Sequence, residues 1–297
     1  MTKIYDLHIH TSYSDGELAP NDVLHLAKQK GAQTISVTDH DNVDFYFDKT
    51  AQLTAKNLNL KVVAGVELFC MAQGVPVEIL AYGFDVNLMK NYLENNAINQ
   101  KVIEQFRFDI FPKLFQKYGV KLELDYTKIN FDNNNPGVSQ EIFNCVLKNK
   151  EAKNLVLEEN ANAFDSINKF LRCTINNPKS KFYAFKNSNF STCKKIINIV
   201  HKFGGLAFLA HPYEYIGCTD KILKYAVKLG VDGVECFHFT SLGEKENNYL
   251  VEFCNKNNLL ISGGSDFHTT NINSNKNKIG EIGINKQMMD KILNKLK

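Results

Sequence analysis

The chain contains no run of roughly 20 uninterrupted apolar residues, which argues against a membrane-spanning helix. Its opening, Met1-Thr2-Lys3-Ile4-Tyr5-Asp6, lacks an apolar signal region, so the expected compartment is the cytoplasm. Cys-x-x-Cys pairs are missing as well. The seven cysteines, Cys70, Cys145, Cys173, Cys193, Cys218, Cys236 and Cys254, are odd in number and scattered. That disfavours a disulfide framework and a cysteine-built zinc site, and predicts reduced, mostly buried thiols. No large charge of either sign is present. A net charge of +3 over 297 residues argues against a long electrostatic surface for extended nucleic acid, whose binding rests on many Lys and Arg contacts to phosphate. There is no internal repeat, no low-complexity linker and no signature of a protein partner. What remains is a chain 44% hydrophobic, enough for a substantial core in one large domain or two ordinary ones.

Histidine carries the first positive signal. Lys3-Ile4-Tyr5-Asp6-Leu7 reads as a short buried strand, and His8 and His10 follow at i and i+2. Alternate residues of an extended chain point to one side. Two imidazoles on one side at a strand end make half of a metal site, because neutral imidazole suits Zn, Mn or Fe. Asp15, in the loop that follows, offers a hard oxygen.

Along the chain, strands and helices alternate. A helix starting at Pro20 ends at Gly31, and Thr34–Thr38 reads as a buried strand running into Asp39-His40-Asp41. A helix over 44–57 leads to strand Lys61–Val66, which ends on Glu67. Strand Val75–Tyr82 carries Glu78. Four strands within about eighty residues, with helices between the first three, predict β-α-β units and a largely parallel sheet. Residues 86–118 read as one long helix or two, with Val102, Phe106, Ile110 and Leu114 at helical spacing. A loop at 133–137 and short helical stretches to about Leu171 follow. The middle, 85–190, therefore reads as a helical insertion in a barrel built from 1–84 and 191–297. Its role is packing, or a lid that shapes substrate choice.

The alternation resumes near Ser191. A helix through Ile196 and Val200 closes at Gly204-Gly205, and strand Leu206–Ala210 ends on His211-Pro212. Helix Thr219–Leu229, strand Val231–Cys236 with Glu235, and helix Leu242–Asn257 follow. Strand Leu259–Ser262 runs into Gly263-Gly264-Ser265-Asp266-Phe267-His268, and a helix over 286–296 closes the chain. Of eight histidines, five (His8, His10, His40, His211 and His268) lie just after predicted strands, as do Asp15, Asp39, Glu67 and Asp266. In parallel β/α architectures the strand C-termini share one face, where active sites form. One cluster is therefore expected from residues spread over the whole chain. His25 and His201 fall within predicted helices and are expected at the surface or in packing.

The segments Asp6–Thr11 with Ser14-Asp15-Gly16, Val37–Asp41, Gly65–Glu67, Leu209–Pro212 and Gly264–His268 together resemble the PHP (polymerase and histidinol phosphatase) family. The insertion and Phe182-Tyr183-Ala184-Phe185 look more like its stand-alone branch of nucleoside 3′,5′-bisphosphate phosphatases and the 5′-to-3′ exoribonuclease RNase AM. The resemblance implies an α/β fold, a distorted (β/α)7 barrel, with two or three divalent ions (Mn, Fe or Zn). It places His8, His10, Glu67 and Asp266 on the first ion. Glu67 would bridge to a second, completed by His211 and one further ligand, and Asp15, His40 and His268 would hold a third. Asp15, His40, Glu67, His211 and His268 are the candidate catalytic groups. Asp39 or Asp41 would orient the His40 ring from behind.

The implied reaction is metal-dependent phosphoester hydrolysis, in which a metal-held hydroxide attacks phosphorus. A small nucleotide such as a 3′,5′-bisphosphate, or the 5′ end of a short oligonucleotide, is the expected substrate. Histidinol phosphate hydrolysis or a non-catalytic metal-binding module are the alternatives, and C–N bond hydrolysis is disfavoured because no lysine sits in the motifs. Two positions depart from the branch. Where it carries a histidine as the remaining second-ion ligand, this chain has Glu78, which either keeps that ion or points to solvent. Where it carries an Arg-Pro-His-like turn, this chain has Pro136-Gly137-Val138-Ser139-Gln140. Substrate contacts must then come from elsewhere. Arg172, Glu235 and His238 are the candidates, Glu235 and His238 for substrate contact or for support from behind the ligands, while Arg172, Lys179, Lys181 and Lys186 are each also expected as ordinary solvated surface.

Overall fold

The computed structural model describes residues 5–96, 100–131, 136–241 and 243–296. Expectations for Lys3-Ile4, for loop residues 133–135 and for a helix start at Leu242 lie outside these residues. Seven strands, β1 (Tyr5–Ile9), β2 (Thr34–Val37), β3 (Lys61–Ala72), β4 (Val75–Tyr82), β5 (Leu206–Leu209), β6 (Gly233–Phe237) and β7 (Leu260–Gly263), pair in chain order. An Ile9–Phe267 bridge, with the His10 amide donating to the Phe267 carbonyl at 2.9 Å, brings the exit of β7 against β1. The sheet thus nearly closes into the expected α/β barrel. Its distortion has a plain source: β4 runs antiparallel to both β3 and β5.

That reversal corrects the strand predicted to stop at Glu67. β3 continues to Ala72 and turns back through Gln73 (φ 52°) and Gly74 (φ 79°). A two-residue turn with both centres at positive φ matches the twist of a hairpin. Glu67 therefore sits inside a strand, paired across with Leu80.

Helices α1 (Pro20–Gln29) and α2 (Lys49–Asn57) link the first three strands. The predicted helix over 44–57 breaks into a 3-10 turn at Asp44–Phe47 and α2, because Asp48 caps the amides of Thr50 and Ala51. After β4 come α3 (Val86–Asn96), α4 (Gln100–Gln116), α5 (Val138–Lys148), α6 (Lys150–Glu159) and α7 (Ile167–Cys173). The apolar face of α4 keeps Phe106, Ile110 and Leu114 of the predicted stripe but is wider than predicted and excludes Val102. Val102 is exposed, while Ile103, Phe111, Leu114 and Phe115 are buried. Phe111, Phe115, Val138, Ile142, Val156, Phe170 and Phe182 form one apolar cluster among α4–α7. Met89, Tyr92 and Leu93 of α3 instead join the barrel's outer core.

The chain then returns through α8 (Cys193–Lys202), α9 (Thr219–Leu229), α10 (Glu244–Lys256) and α11 (Lys286–Lys295). Ile196, Ile197 and Val200 of α8 pack on the outward residues Val77 and Ile79 of β4. At the N-terminal end of the parallel strands, Met289 and Ile292 of α11 join Tyr5, Leu7, Leu80, Tyr82 and Phe208 in a closed floor. The opposite end stays open and polar. No helix among the described residues is long and apolar enough to cross a membrane, and all seven cysteines are free.

Candidate metal centre

Three site residues sit where the backbone itself is unusual. Asp41 (φ 47°), His211 (φ 23°) and Asp266 (φ 48°) adopt positive φ just past β2, β5 and β7. Non-glycine residues take this region only when their surroundings compel it, and such positions cluster at functional sites. His8 falls within a register irregularity of β1 between Asp6 and Ile9. Bulges of this kind re-aim side chains.

The side chains so placed converge. His8 Nε2 lies 3.1 Å from His10 Nε2 and 3.2 Å from Glu67 Oε2. His10 Nε2 lies 3.3 Å from Glu67 Oε2 and 3.1 Å from Asp266 Oδ1, which is 3.4 Å from His8 Nε2. Ligands at about 2.0–2.2 Å from one tetrahedral ion stand about 3.3–3.6 Å apart. The four donors are also buried, at most 4% exposed, and two imidazole nitrogens facing each other cannot both donate. The donor set fits a divalent ion.

A second set lies beside it. Asp15 Oδ1 is 3.2 Å from His268 Nε2 and 3.6 Å from His10 Nδ1, and Asp15 Oδ2 is 3.9 Å from His40 Nε2. Glu67 connects the sets, since Oε2 also lies 3.3 Å from His40 Nδ1 while Oε1 faces His211 Nε2 at 2.9 Å. Glu78 lies 3.5 Å from His211 Nε2. All nine predicted ligand positions therefore meet at the open end of the barrel. His25 is exposed, and His201 pairs with Asp232 at 2.7 Å on the surface.

Electrostatics reflect the crowding. Burial alone would push His8 down, but the Glu235, Glu67 and Asp266 carboxylates hold it well above the ordinary histidine value. Burial alone would likewise raise Asp15, Glu67 and Asp266. Instead His268 and His40 beside Asp15, His8 and His40 beside Glu67, and Lys276 and His268 beside Asp266 hold each well below the carboxylate range. In the metal-free chain, protons on histidine balance charge that a cation would otherwise meet.

Of the two roles expected of Glu235 and His238, contact with substrate or support from behind the ligands, their positions match the second. Glu235 is fully buried behind His8, with Oε1 2.9 Å from Nδ1 and Oε2 accepting from the His211 amide at 2.8 Å. This fixes the tautomer that leaves Nε2 facing the cluster. His238 is buried between Thr240 Oγ1, 2.7 Å, and Asp266 Oδ2, 3.4 Å. Neither lines the basin above the centre. Asp39 is spent on the Thr11–Ser14 loop, accepting from the Thr11 amide, Thr11 Oγ1 and Ser14 Oγ at 2.6–2.7 Å. Asp41 Oδ1 accepts from the Phe69 amide at 3.2 Å, and burial raises its carboxyl to about 7.

The basin has a volume of about 850 Å³, and its walls include residues that the sequence did not single out. Lys276, from the loop after β7, places Nζ 3.0 Å from Asp266 Oδ2 and 3.2 Å from His268 Nε2. Arg107 of α4 donates to Glu104 Oε1 at 2.8 Å and Ser139 Oγ at 3.0 Å, and its buried Nε has no partner among the described residues. Arg172 of α7 also lines the basin, but its donors go to Glu78 and Glu214. Lys179 and Lys181 turn instead to the Gly217 carbonyl and Glu158, and Lys186 is exposed. No local motif marks Lys276 or Arg107; only the fold brings them in.

A nearly closed α/β barrel with buried histidines and carboxylates packed at metal-ligand spacing defines the metal-dependent hydrolase barrels. The PHP domain family matches residues 6–248, and the chain belongs to that family. It is similar to the 5′-3′ exoribonuclease of Haemophilus influenzae, 26% identical over 273 residues covering 90% of this chain and 91% of that protein. It is also similar to the phosphoribosyl 1,2-cyclic phosphate 1,2-diphosphodiesterase of Eggerthella lenta, 25% identical, covering 89% and 94%. A solved amidohydrolase of Chromobacterium violaceum, with bound sulfate and no metal, shares the fold. Its TM-score is 0.67 at 18% identity, over 98% of this chain and 96% of that one.

Proposed function

We propose that this PHP-family chain is a metal-dependent phosphoesterase acting on a small nucleotide, such as a 3′,5′-bisphosphate, or on the 5′ end of a short oligonucleotide. The observation that carries the reading is the pair of donor sets on the floor of a basin that also presents Arg107 and Lys276. His8, His10, Glu67 and Asp266 would hold one divalent ion, and Asp15, His40 and His268 another. Such ions, Mn, Fe or Zn, supply an activated water near neutral pH and neutralise phosphoryl charge.

The chain's own residues do the rest. Glu235 holds His8 in one tautomer. Lys276, paired with Asp266, keeps a fixed cation at the rim. Arg107, a cation on the basin wall, suits a second phosphate held away from the reacting one. The two relatives reported above are both named for action on ribose phosphates, which supports a nucleotide-like substrate. We take 85–190 as the substrate-shaping insertion; the separate apolar cluster of α4–α7 supports this, with α3 packed onto the barrel.

The test is product release by the Mn²⁺-reconstituted protein from adenosine 3′,5′-bisphosphate, histidinol phosphate and a 5′-phosphorylated trinucleotide. Turnover of the first or third, abolished by His8→Ala, is expected. Turnover of histidinol phosphate alone refutes the nucleotide assignment, and background rates on all three with metal bound refute the activity.

A further inference from the structure

Glu67, Glu78 and His211 form one corner of the basin, the place at which the sequence predicts a further ion. That corner already contains a cation. Arg172 Nη2 lies 2.6 Å from Glu78 Oε2 and 3.1 Å from Glu214 Oε2, and Nε donates to the same Glu214 oxygen at 3.1 Å. Nη1 leans on the Pro76 carbonyl at 3.5 Å, and the guanidinium lies 5.4 Å from the centre of the Tyr215 ring. Tyr215 is itself locked, its hydroxyl donating to the Ala210 carbonyl at 3.0 Å and accepting from the Glu78 amide at 3.1 Å.

The guanidinium is thus held by two carboxylates, a ring and a carbonyl. The side chains of Arg172, Glu78 and Glu214 are only 11%, 14% and 8% exposed, so solvent does little to screen them. The Glu78 oxygen nearest His211 is the one that accepts from Arg172. A divalent ion bound to that oxygen would sit about 3–5 Å from a permanent positive charge, with little water between them. Arginine cannot relieve this by losing its proton. Moving Arg172 aside would leave buried Glu214 with His211 Nδ1, 3.8 Å away, in place of a guanidinium at 3.1 Å. Glu67 and Glu78 do stand with His40 at metal-ligand spacing, but the Glu78 carboxylate already serves Arg172, so these donors fit the cation present.

We propose that the Arg172 guanidinium occupies the corner bounded by Glu67, Glu78 and His211 in place of a metal ion, so that the centre takes two ions and a protein side chain supplies the positive charge at that corner. The insertion then completes the centre, because Arg172 comes from α7 whereas every metal-facing residue comes from the barrel. Unlike an ion, this charge stays at any metal concentration.

The inference rests on the two-set metal reading above, and metal counting separates them. Protein loaded with Mn²⁺, freed of excess by gel filtration and assayed by elemental analysis, is expected to carry two ions per chain. The double variant Glu78→His/Arg172→Met, which removes guanidinium and carboxylate together and offers an imidazole, is expected to carry three. Three ions on the wild type, or one, overturns the inference and leaves a metal centre standing. No bound ion removes the reading beneath it as well. A folded double variant that still carries two shows that Arg172 was not what kept the ion out. The wild-type count decides by itself if the double variant does not fold.

Discussion

At the scale of single residues, the site depends on groups that never touch solvent. Glu235 reaches His8 Nδ1 with one oxygen and the His211 amide with the other. Glu235→Gln keeps the size but loses the charge, so the His8 ring is held less firmly. A loss of roughly 10–100-fold in Mn²⁺ affinity is expected, as for other carboxylates behind a ligand histidine, and competition titration against a chelator would measure it. Unchanged affinity would leave Glu235 a packing residue. A second prediction concerns pH. Burial lowers His211, but Glu214 and Glu67 raise it from 6.5 to about 9. Its contribution to metal-free stability is therefore complete below pH 6.5 and lost as pH rises through about 9. EDTA-treated protein should lose on the order of 1–3 kcal/mol between pH 7 and 9.5, and His211→Gln should flatten that slope in thermal melts. Eight of the nine candidate ligand positions were legible just after predicted strands, while their grouping around ions, and Glu78 itself, came from the resemblance to the PHP family. Lys276 and Arg107 were not, since a lone basic residue in a loop or helix looks the same whether it faces solvent or a basin.

At the scale of elements, β1 and β7 meet through glycine. A Cβ on Gly264 would lie 2.3 Å from the His8 amide nitrogen and 2.4 Å from His8 Cβ, both on the rigid strand that carries the first ligand. Gly264→Ala must push β1 away from the turn holding Asp266. A loss of about 1–3 kcal/mol is expected from overpacking, together with weaker metal binding; chemical denaturation and metal titration on one preparation would test both. Stability lost with affinity intact would show that the seam yields elsewhere. The strands were readable from their apolar runs, but the reversal of β4 was not. The run before Glu67 reads as a complete strand, and Gln73-Gly74 gives only a weak turn signal. Likewise the stripe through Phe106, Ile110 and Leu114 was legible in α4, while packing among α4–α7 also buries Phe111 and Phe115 beside it.

At the scale of the whole molecule, the candidate ligands come from the barrel strands and the loops that follow them, and the arginines come from helices α4 and α7. Arg172 comes from α7 to pair with Glu78, and Arg107 comes from α4 to Glu104 and Ser139. Ser139 lies in the segment where the resemblance implied a basic turn, and Arg107 brings a positive charge beside it from α4. Glu104 neutralises one face of that guanidinium and ties it to α5 through the Ser139 amide at 2.8 Å. If this rim holds the second phosphate of a bisphosphate, Arg107→Gln should raise KM for adenosine 3′,5′-bisphosphate. A charged hydrogen bond worth about 1.5–3 kcal/mol corresponds to roughly 10–100-fold. Adenosine 5′-monophosphate or 3′-monophosphate, which lacks that second group, should show little change in KM, and kcat on either substrate should hold within a few-fold. Equal KM increases on bisphosphate and monophosphate would mean that Arg107 organises the insertion and does not read the substrate. A fall in kcat alone would place its effect on the metal floor, and the division of labour between barrel and insertion would fail at that point.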